Sequence, residues 1–236
     1  DRPKANAINV ETSKALYAAF AKFRDDPTLS VAILSGGEGR FFSAGWDLKA
    51  GAEGEAVDAD HGPGGFAGLT ELWDLDKPVI AAVNGLAFGG GFELALAADL
   101  IIAADTAEFA LTEVTLGIMP GFGGTQNLAR LIGPNRAKEL IFTGKQLSAQ
   151  QAKEWGIVNE VFPPDQLMAK TMEIAKMIAG NHRGAVMGVK KLLLKQMTQD
   201  LEAQYMEEHE YTTHVMRGAK AKDAFPEFMA RKGLKA

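Results

Sequence analysis

The chain has 236 residues, 47% of them hydrophobic and 23% charged, enough to bury a sizeable core without metal or disulfide staples. Its 25 Lys and Arg against 30 Asp and Glu leave a net charge of −5, so no basic footprint points to nucleic acid or to an anionic membrane surface. The absence of Cys excludes disulfides, thiolate nucleophiles and cysteine-built zinc or iron–sulfur sites, and no run approaches the ~18 apolar residues of a membrane span. The opening Asp1-Arg2-Pro3-Lys4 carries no secretory pattern. A cytoplasmic protein, built as one large domain or a domain with an appendage, is the expectation.

Leu16, Ala19, Phe20 and Phe23 fall at i, i+3, i+4 and i+7 and predict a first helix, with Asn9 placed to cap it. Val31-Ala32-Ile33-Leu34-Ser35, Val79-Ile80-Ala81-Ala82-Val83 and Leu100-Ile101-Ile102-Ala103 are short, continuously apolar runs. Continuous rather than alternating apolarity suggests strands covered on both faces, which favours parallel pairing with helices between them. Ile157-Val158 and Val161-Phe162 read as one more short strand. Between the first two strands, residues 51–68 hold six glycines with Glu53, Glu55, Asp58, Asp60 and His61. A stretch of this length is either a lid or pocket wall, or a plain solvated loop.

The last third reads as helical. Ser148-Ala149-Gln150-Gln151 is a capping-box pattern, and Asp165 is placed to cap a helix running to Ala179. Val186, Val189, Leu193 and Met197 stack on one face, and further helices are predicted near residues 201–216 and 223–231.

Chemistry concentrates at the glycine clusters. Phe42-Ser43-Ala44-Gly45-Trp46-Asp47-Leu48-Lys49 is one glycine-containing turn, and Gly89-Gly90-Gly91-Phe92-Glu93-Leu94 is another that runs into a helix. Consecutive glycines at a helix start leave backbone N–H groups uncovered at its positive end, ready for developing negative charge, unless they serve only close backbone packing. Neither turn spells G-x-G-x-x-G, no Gly-Lys-Ser/Thr triplet occurs, and no G-x-S-x-G elbow occurs, so dinucleotide, P-loop and α/β-hydrolase readings fail on the residues. Glu93 follows the triplet, where a carboxylate can also simply complement the helix dipole. Glu113 is a lone carboxylate in an apolar run, either a proton-transfer group raised by desolvation or a strand-edge residue facing water. The four histidines, His61, His182, His209 and His214, show no metal spacing and read as surface residues.

The ordered set Phe42-Ser43-Ala44-Gly45-Trp46-Asp47-Leu48, then Gly89-Gly90-Gly91-Phe92-Glu93, then Glu113 with Pro120-Gly121-Phe122-Gly123-Gly124-Thr125, resembles the enoyl-CoA hydratase/isomerase (crotonase) family. The resemblance implies an α/β fold, a crotonase-like spiral of ββα turns, with an acyl-CoA-binding core over residues 1–178. It also implies a C-terminal helical region, 179–236, that builds a homo-trimer or a dimer of trimers. The family's catalytic glutamates map onto Glu93 and Glu113, and its oxyanion-hole N–H groups onto Trp46 and Gly90. CoA contacts fall on Lys4, Ala44, Asp47, Leu48 and Lys49. No metal and no dissociable cofactor is implied, since CoA is part of the substrate.

With both glutamates present, the implied activity is a hydro-lyase that reversibly dehydrates a 3-hydroxyacyl-CoA. Ala44-Gly45-Trp46-Asp47-Leu48-Lys49-Ala50 and the acidic, glycine-rich loop are most similar to the branch that converts L-carnitinyl-CoA to crotonobetainyl-CoA. A trimethylammonium group is recognised by aromatic faces and carboxylates, so Trp46, Phe66, Trp73 and Phe92, with Asp58 or Asp60, are the candidate acyl-pocket residues. The alternatives are a general short-chain enoyl-CoA hydratase, a double-bond isomerase using Glu113 alone, or a non-catalytic binding protein on the same fold.

Overall fold

A computed structural model of the chain describes residues 5–56, 58–195, 198–218 and 230. The first helix, α1 (Val10–Asp25), starts where expected, and the Asn9 side chain accepts from the Thr12 N–H. Its buried Phe20 and Phe23 face the core, each contributing roughly 1.5–3 kcal/mol by leaving water.

The chain then alternates between two sheets. β1 (Ala32–Ser35), β3 (Val79–Val83), β5 (Leu100–Ala104) and β8 (Glu160–Phe162) form one, all parallel, in the order β1-β3-β5-β8. The second is β2-β4-β6-β7, built from β2 (Phe41–Ser43), β4 (Leu86–Phe88), β6 (Glu108–Ala110) and β7 (Leu147–Ser148), antiparallel only at its last pair. Each early turn of the spiral therefore adds one strand to each sheet. The parallel pairing of the long apolar runs follows the expectation. β3 is buried along its whole length, as its unbroken apolarity requires.

The second sheet was not read from sequence, because strands of two or three residues that run into glycine-containing turns, as β2 and β4 do, look like turns. Two further details differ. Ile157 and Val158 are buried but precede β8 rather than forming it. The helix α7 (Pro164–Ala179) begins at Pro164, whose fixed φ and missing N–H suit a first helical position, so Asp165 sits in the first turn and not at the cap.

Helices close the outside of the spiral. α7 packs across the first sheet through Leu167, Thr171 and Ala175, which recur at every fourth position. α3 (Gly90–Ala97) follows β4 directly. The paired helices α4 (Gly124–Ile132) and α5 (Pro134–Thr143) come after the Glu113 turn. α6 (Ala149–Glu154) carries the predicted capping box, Ser148 with Gln151.

Beyond residue 179, α8 (Arg183–Lys195) and α9 (Leu201–Arg217) form a helical pair. A Cβ on Gly188 would stand 2.1 Å from the Tyr211 ring, so the bare glycine is what lets α9 lie against α8. Met197 and the helix predicted at 223–231 fall outside the described residues, apart from Ala230. Among the described residues no helix is long and apolar enough to cross a membrane.

Residues 51–68 are not a plain solvated loop. After α2 (Leu48–Ala52), His61 and the stretch from Gly64 to Gly68 are buried. A Cβ on Gly68 would stand 2.2 Å from the Tyr17 backbone nitrogen, which fixes this segment against α1.

Candidate active site

The parallel strands β2, β4 and β6 all end on one edge of the second sheet. The chain leaving β2 is Ala44-Gly45-Trp46, the chain leaving β4 is Gly89-Gly90-Gly91, and the chain leaving β6 reaches Glu113. Open parallel sheets bind ligands at this edge, because loops and helix N-termini converge there.

Glycine brings the first two turns into backbone contact. A Cβ on Gly45, at φ +87°, would lie 2.6 Å from the Gly90 nitrogen and 2.8 Å from the Phe88 carbonyl. On Gly91 it would lie 2.1 Å from the Ser43 carbonyl. No side chain fits at either position. The N–H groups of Trp46 and Gly90, one from each turn, have no acceptor among the described residues. Two free donors from adjacent turns are what an oxyanion needs.

The Trp46 side chain is committed elsewhere. Its indole N–H donates to Glu55 at 3.0 Å, while the other Glu55 oxygen accepts from the Val10 N–H at 3.0 Å. A Cβ on Gly51 would meet the indole at 2.4 Å, so that glycine makes the room for a Trp at 46.

Glu93, in the first turn of α3, is 1% exposed. Its Oε1 accepts from the N–H groups of Phe122 and Gly124, each at 2.8 Å. Burial pushes its carboxyl up to about 7, the nearby Glu113 adds to the rise, and the two N–H bonds oppose it. Glu113 opens the short helical turn Glu113–Leu116 and is 8% exposed. Neither of its carboxylate oxygens has a partner among the described residues. The position a Cβ would take on Gly89 is 3.4 Å from Glu113 Oε1, so this carboxylate stands beside the glycine triplet. Burial raises its protonation constant as well.

Both glutamates, with Ala44, Trp46, Gly89 and Gly90, line a cleft of about 480 Å³. Groups of His, Asp and Glu able to hold a metal do not occur among the described residues. The cleft therefore presents two buried carboxylates of raised basicity and two free backbone donors, a set suited to moving a proton beside a carbonyl whose oxygen gains charge.

Known proteins similar to this chain fall in one family. The family model described as enoyl-CoA hydratase/isomerase matches residues 1–234. A carnitinyl-CoA dehydratase of Salmonella typhi is 58% identical over 192 residues, covering 81% of this chain and 74% of that protein. A solved structure of an enoyl-CoA hydratase from Mycobacterium tuberculosis superposes with a TM-score of 0.91 at 37% identity, over 98% of this chain and 90% of that one. Another from Geobacillus kaustophilus gives 0.90 at 36% identity, over 98% and 89%. The chain belongs to the enoyl-CoA hydratase/isomerase family.

Not every expected site residue lies in the hydratase/isomerase cleft. Ala44 and Leu48 line it. Asp47 does not, because its Oδ1 caps α2, accepting from the N–H groups of Lys49 at 3.0 Å and Ala50 at 3.2 Å. Lys49 is exposed and pairs with Glu53. Lys4 lies outside the described residues.

Of the aromatic candidates, Phe66 backs the wall. A Cβ on Gly90 would be 2.9 Å from its ring, and it stacks at 4.0 Å on Phe122, which does line the cleft. Phe92 and Trp73 are corrections. Phe92 turns away from the cleft into the core, 5.2 Å from the Phe109 ring, and Trp73 is 75% exposed outside the cleft lining.

His61 is the third correction. It is buried, not on the surface, and lines the cleft with edge contacts to Phe66 and Phe122. Phe122 and Gly124 received no role from sequence. The signal for them was the glycine run opening α4, whose uncovered N–H groups find Glu93.

Proposed function

We propose that this family member is an acyl-CoA hydro-lyase that reversibly dehydrates a 3-hydroxyacyl-CoA at the Glu93–Glu113 cleft. The carrying observation is the pairing of two buried carboxylates, both raised by burial, beside the unpaired N–H groups of Trp46 and Gly90. In dehydration Glu113 takes the α-proton, and the thioester oxygen, held by the two N–H groups, gains enolate character. The Cβ–O bond then breaks with its electron pair going to the departing oxygen, and Glu93 supplies the proton that makes it water. Hydration runs the same steps backwards. In either direction the pair holds one proton between its two carboxylates before and after each turnover. CoA enters as part of the substrate, and these steps need no dissociable cofactor.

The acyl group we assign is that of L-carnitinyl-CoA, giving crotonobetainyl-CoA. The named relatives support it, and so does the charge of the cleft. Asp58, Asp60 and Glu71 join the two glutamates in its lining, and no Lys or Arg does among the described residues. Such a wall favours a cationic acyl end. The test is spectrophotometric: loss of the conjugated enoyl-thioester absorbance with crotonobetainyl-CoA and, in parallel, crotonyl-CoA. Faster turnover of the first supports the carnitinyl reading. Preference for crotonyl-CoA returns the enzyme to the general short-chain hydratases that its solved neighbours represent.

We further propose the functional division 1–178 for the acyl-CoA core and 179–236 for assembly, as a homo-trimer or a dimer of trimers in the cytoplasm. The outward apolar side chains of α8 support an assembly role. Among the proposed CoA contacts, Ala44 and Leu48 fit best.

A further inference from the structure

His61 is a buried titratable group that the chemistry above does not use. Its Nδ1 lies 2.9 Å from Ser13 Oγ, and its Nε2 is buried without a partner among the described residues. Ser13 fixes which nitrogen carries the proton. The Ser13 side chain is fully buried on α1, and its Oγ already accepts the Ala67 N–H at 3.0 Å. The hydroxyl proton needs an acceptor of its own, and the one in reach among the described residues is His61 Nδ1. Nδ1 is then the acceptor, and Nε2 carries an N–H with nothing to bond.

An unpaired buried donor is destabilising, so this one is retained at a cost unless a ligand uses it. The segment that holds it is not free to relax. Ala67 takes φ +54°, a conformation L residues avoid, and its N–H is tied to the same Ser13 hydroxyl. The ring is wedged edge-on against Phe66 at 5.4 Å and Phe122 at 5.6 Å between centroids.

The chemistry of the lining identifies the acceptor. The other charged side chains there are carboxylates, which accept hydrogen bonds when ionised. Phe122, whose ring touches His61, also gives its backbone N–H to Glu93, so His61 and Glu93 share a neighbour. A 3-hydroxyacyl-CoA carries two oxygens at its reacting end. The thioester oxygen is taken by the Trp46 and Gly90 N–H groups. The 3-hydroxyl oxygen accepts the Glu93 proton through one lone pair and still offers a second, which an ionised carboxylate cannot satisfy.

We propose that His61 is a specificity-determining residue whose Nε2–H donates to the oxygen on the β-carbon of the acyl chain, completing its coordination beside Glu93. The proposal rests on the hydro-lyase reading. Two consequences follow. As the Cβ–O bond breaks, that oxygen gains negative charge, so the bond strengthens toward the transition state and acts on kcat as well as KM. Burial also holds the imidazole toward its neutral form, against the pull of Glu55, Asp60 and Glu71, so the donor does not repel a cationic acyl end.

The test uses His61→Phe, which keeps a ring in the wall, and His61→Gln, which restores an N–H at similar reach. Kinetics with a 3-hydroxyacyl-CoA are set beside the binding constants of 3-hydroxybutyryl-CoA and of butyryl-CoA, which lacks the oxygen. His61→Phe is expected to lower kcat/KM for dehydration about tenfold, with part of the loss in kcat, and to leave butyryl-CoA binding within about twofold. His61→Gln is expected to recover most of the loss. Equal loss for both ligands would make His61 a wall residue and overturn the proposal, as would full activity in His61→Phe or no recovery in His61→Gln. If the wild-type protein bound both ligands and turned over neither, the hydro-lyase reading would fall. The ratio of the two binding constants, and its collapse in His61→Phe, would still decide the contact.

Discussion

Glu93 and Glu113 lie in the same cleft but are held differently, and the difference assigns their work. Glu93 is fixed by two N–H donors from the start of α4, which restrain its position while burial brings its carboxyl to about 7. Neither Glu113 oxygen has a restraint among the described residues, which leaves it available to a C–H proton. With one proton shared by the pair, as proposed, kcat/KM should fall as pH rises through the neighbourhood of 7, where that last proton is lost. A profile flat from pH 6 to 9 would refute the sharing. Replacing Glu93 by Gln should cut hydration by about 10³-fold or more, and a double-bond isomerase using Glu113 alone would survive it.

The same substitution has a stability signature. A carboxyl whose folded value lies above its unfolded one binds the extra proton in the folded state, so ionisation penalises folding. The penalty is absent below the unfolded value of 4.5 and complete above 7. Glu93→Gln removes it, so denaturant unfolding should find the variant gaining on wild type between pH 4.5 and pH 8, by roughly 3 kcal/mol in all. No gain would mean that Glu93 titrates as an ordinary carboxyl.

At the scale of elements, the site is made by strands too short to announce themselves. The apolar runs of β3 and β5 were legible because burial on both faces leaves no polar alternation, the half-buried edge strand β1 because its run is just as unbroken, and α1 because its stripe and cap agree. β2 and β4 are three residues each and run into glycine-containing turns, so sequence shows the turn and hides the strand. Phe92 was misplaced because proximity in sequence to Glu93 is not proximity in space. Adjacent helical residues diverge by about 100°, which sends Phe92 toward Phe109. His61 was misread for the opposite reason: its partner Ser13 lies 48 residues away, beyond any local pattern.

What the short strands need is close backbone approach, and that gives an element-level prediction. Gly91→Ala places a Cβ 2.1 Å from the Ser43 carbonyl, which must push the chain leaving β2 from the one leaving β4. Gly91 takes no left-handed conformation, so the effect is one of contact alone. Loss of about 10²-fold in kcat is expected as the donors at Trp46 and Gly90 separate, with circular dichroism reporting retained secondary structure. Unchanged kcat would show that the two turns need not touch.

For the whole molecule, the telling feature lies outside the cleft. Val189 and Leu193 on α8 are 57% and 55% exposed, and with Leu131, Leu194 and Val186 they border a groove of about 720 Å³. Large apolar side chains gathered in one place are costly to leave in water, each worth roughly 1.5–3 kcal/mol if covered. Among the described residues, the packing already made opposes covering them with α9. α9 is held to the other side of α8 by Tyr211 against Gly188 and by the Lys195–Glu207 ion pair. A second copy is the occupant that the proposed assembly supplies, and a cyclic trimer repeats each contact three times. Wild-type protein should therefore run in light scattering at three or six chain masses. Val189→Asp with Leu193→Asp should shift it to a folded single chain, since two buried, unpaired carboxylates per interface outweigh what the remaining contacts return. A monomeric wild type, or a double variant that keeps its mass, would place the assembly surface elsewhere and leave the α8 groove to another ligand.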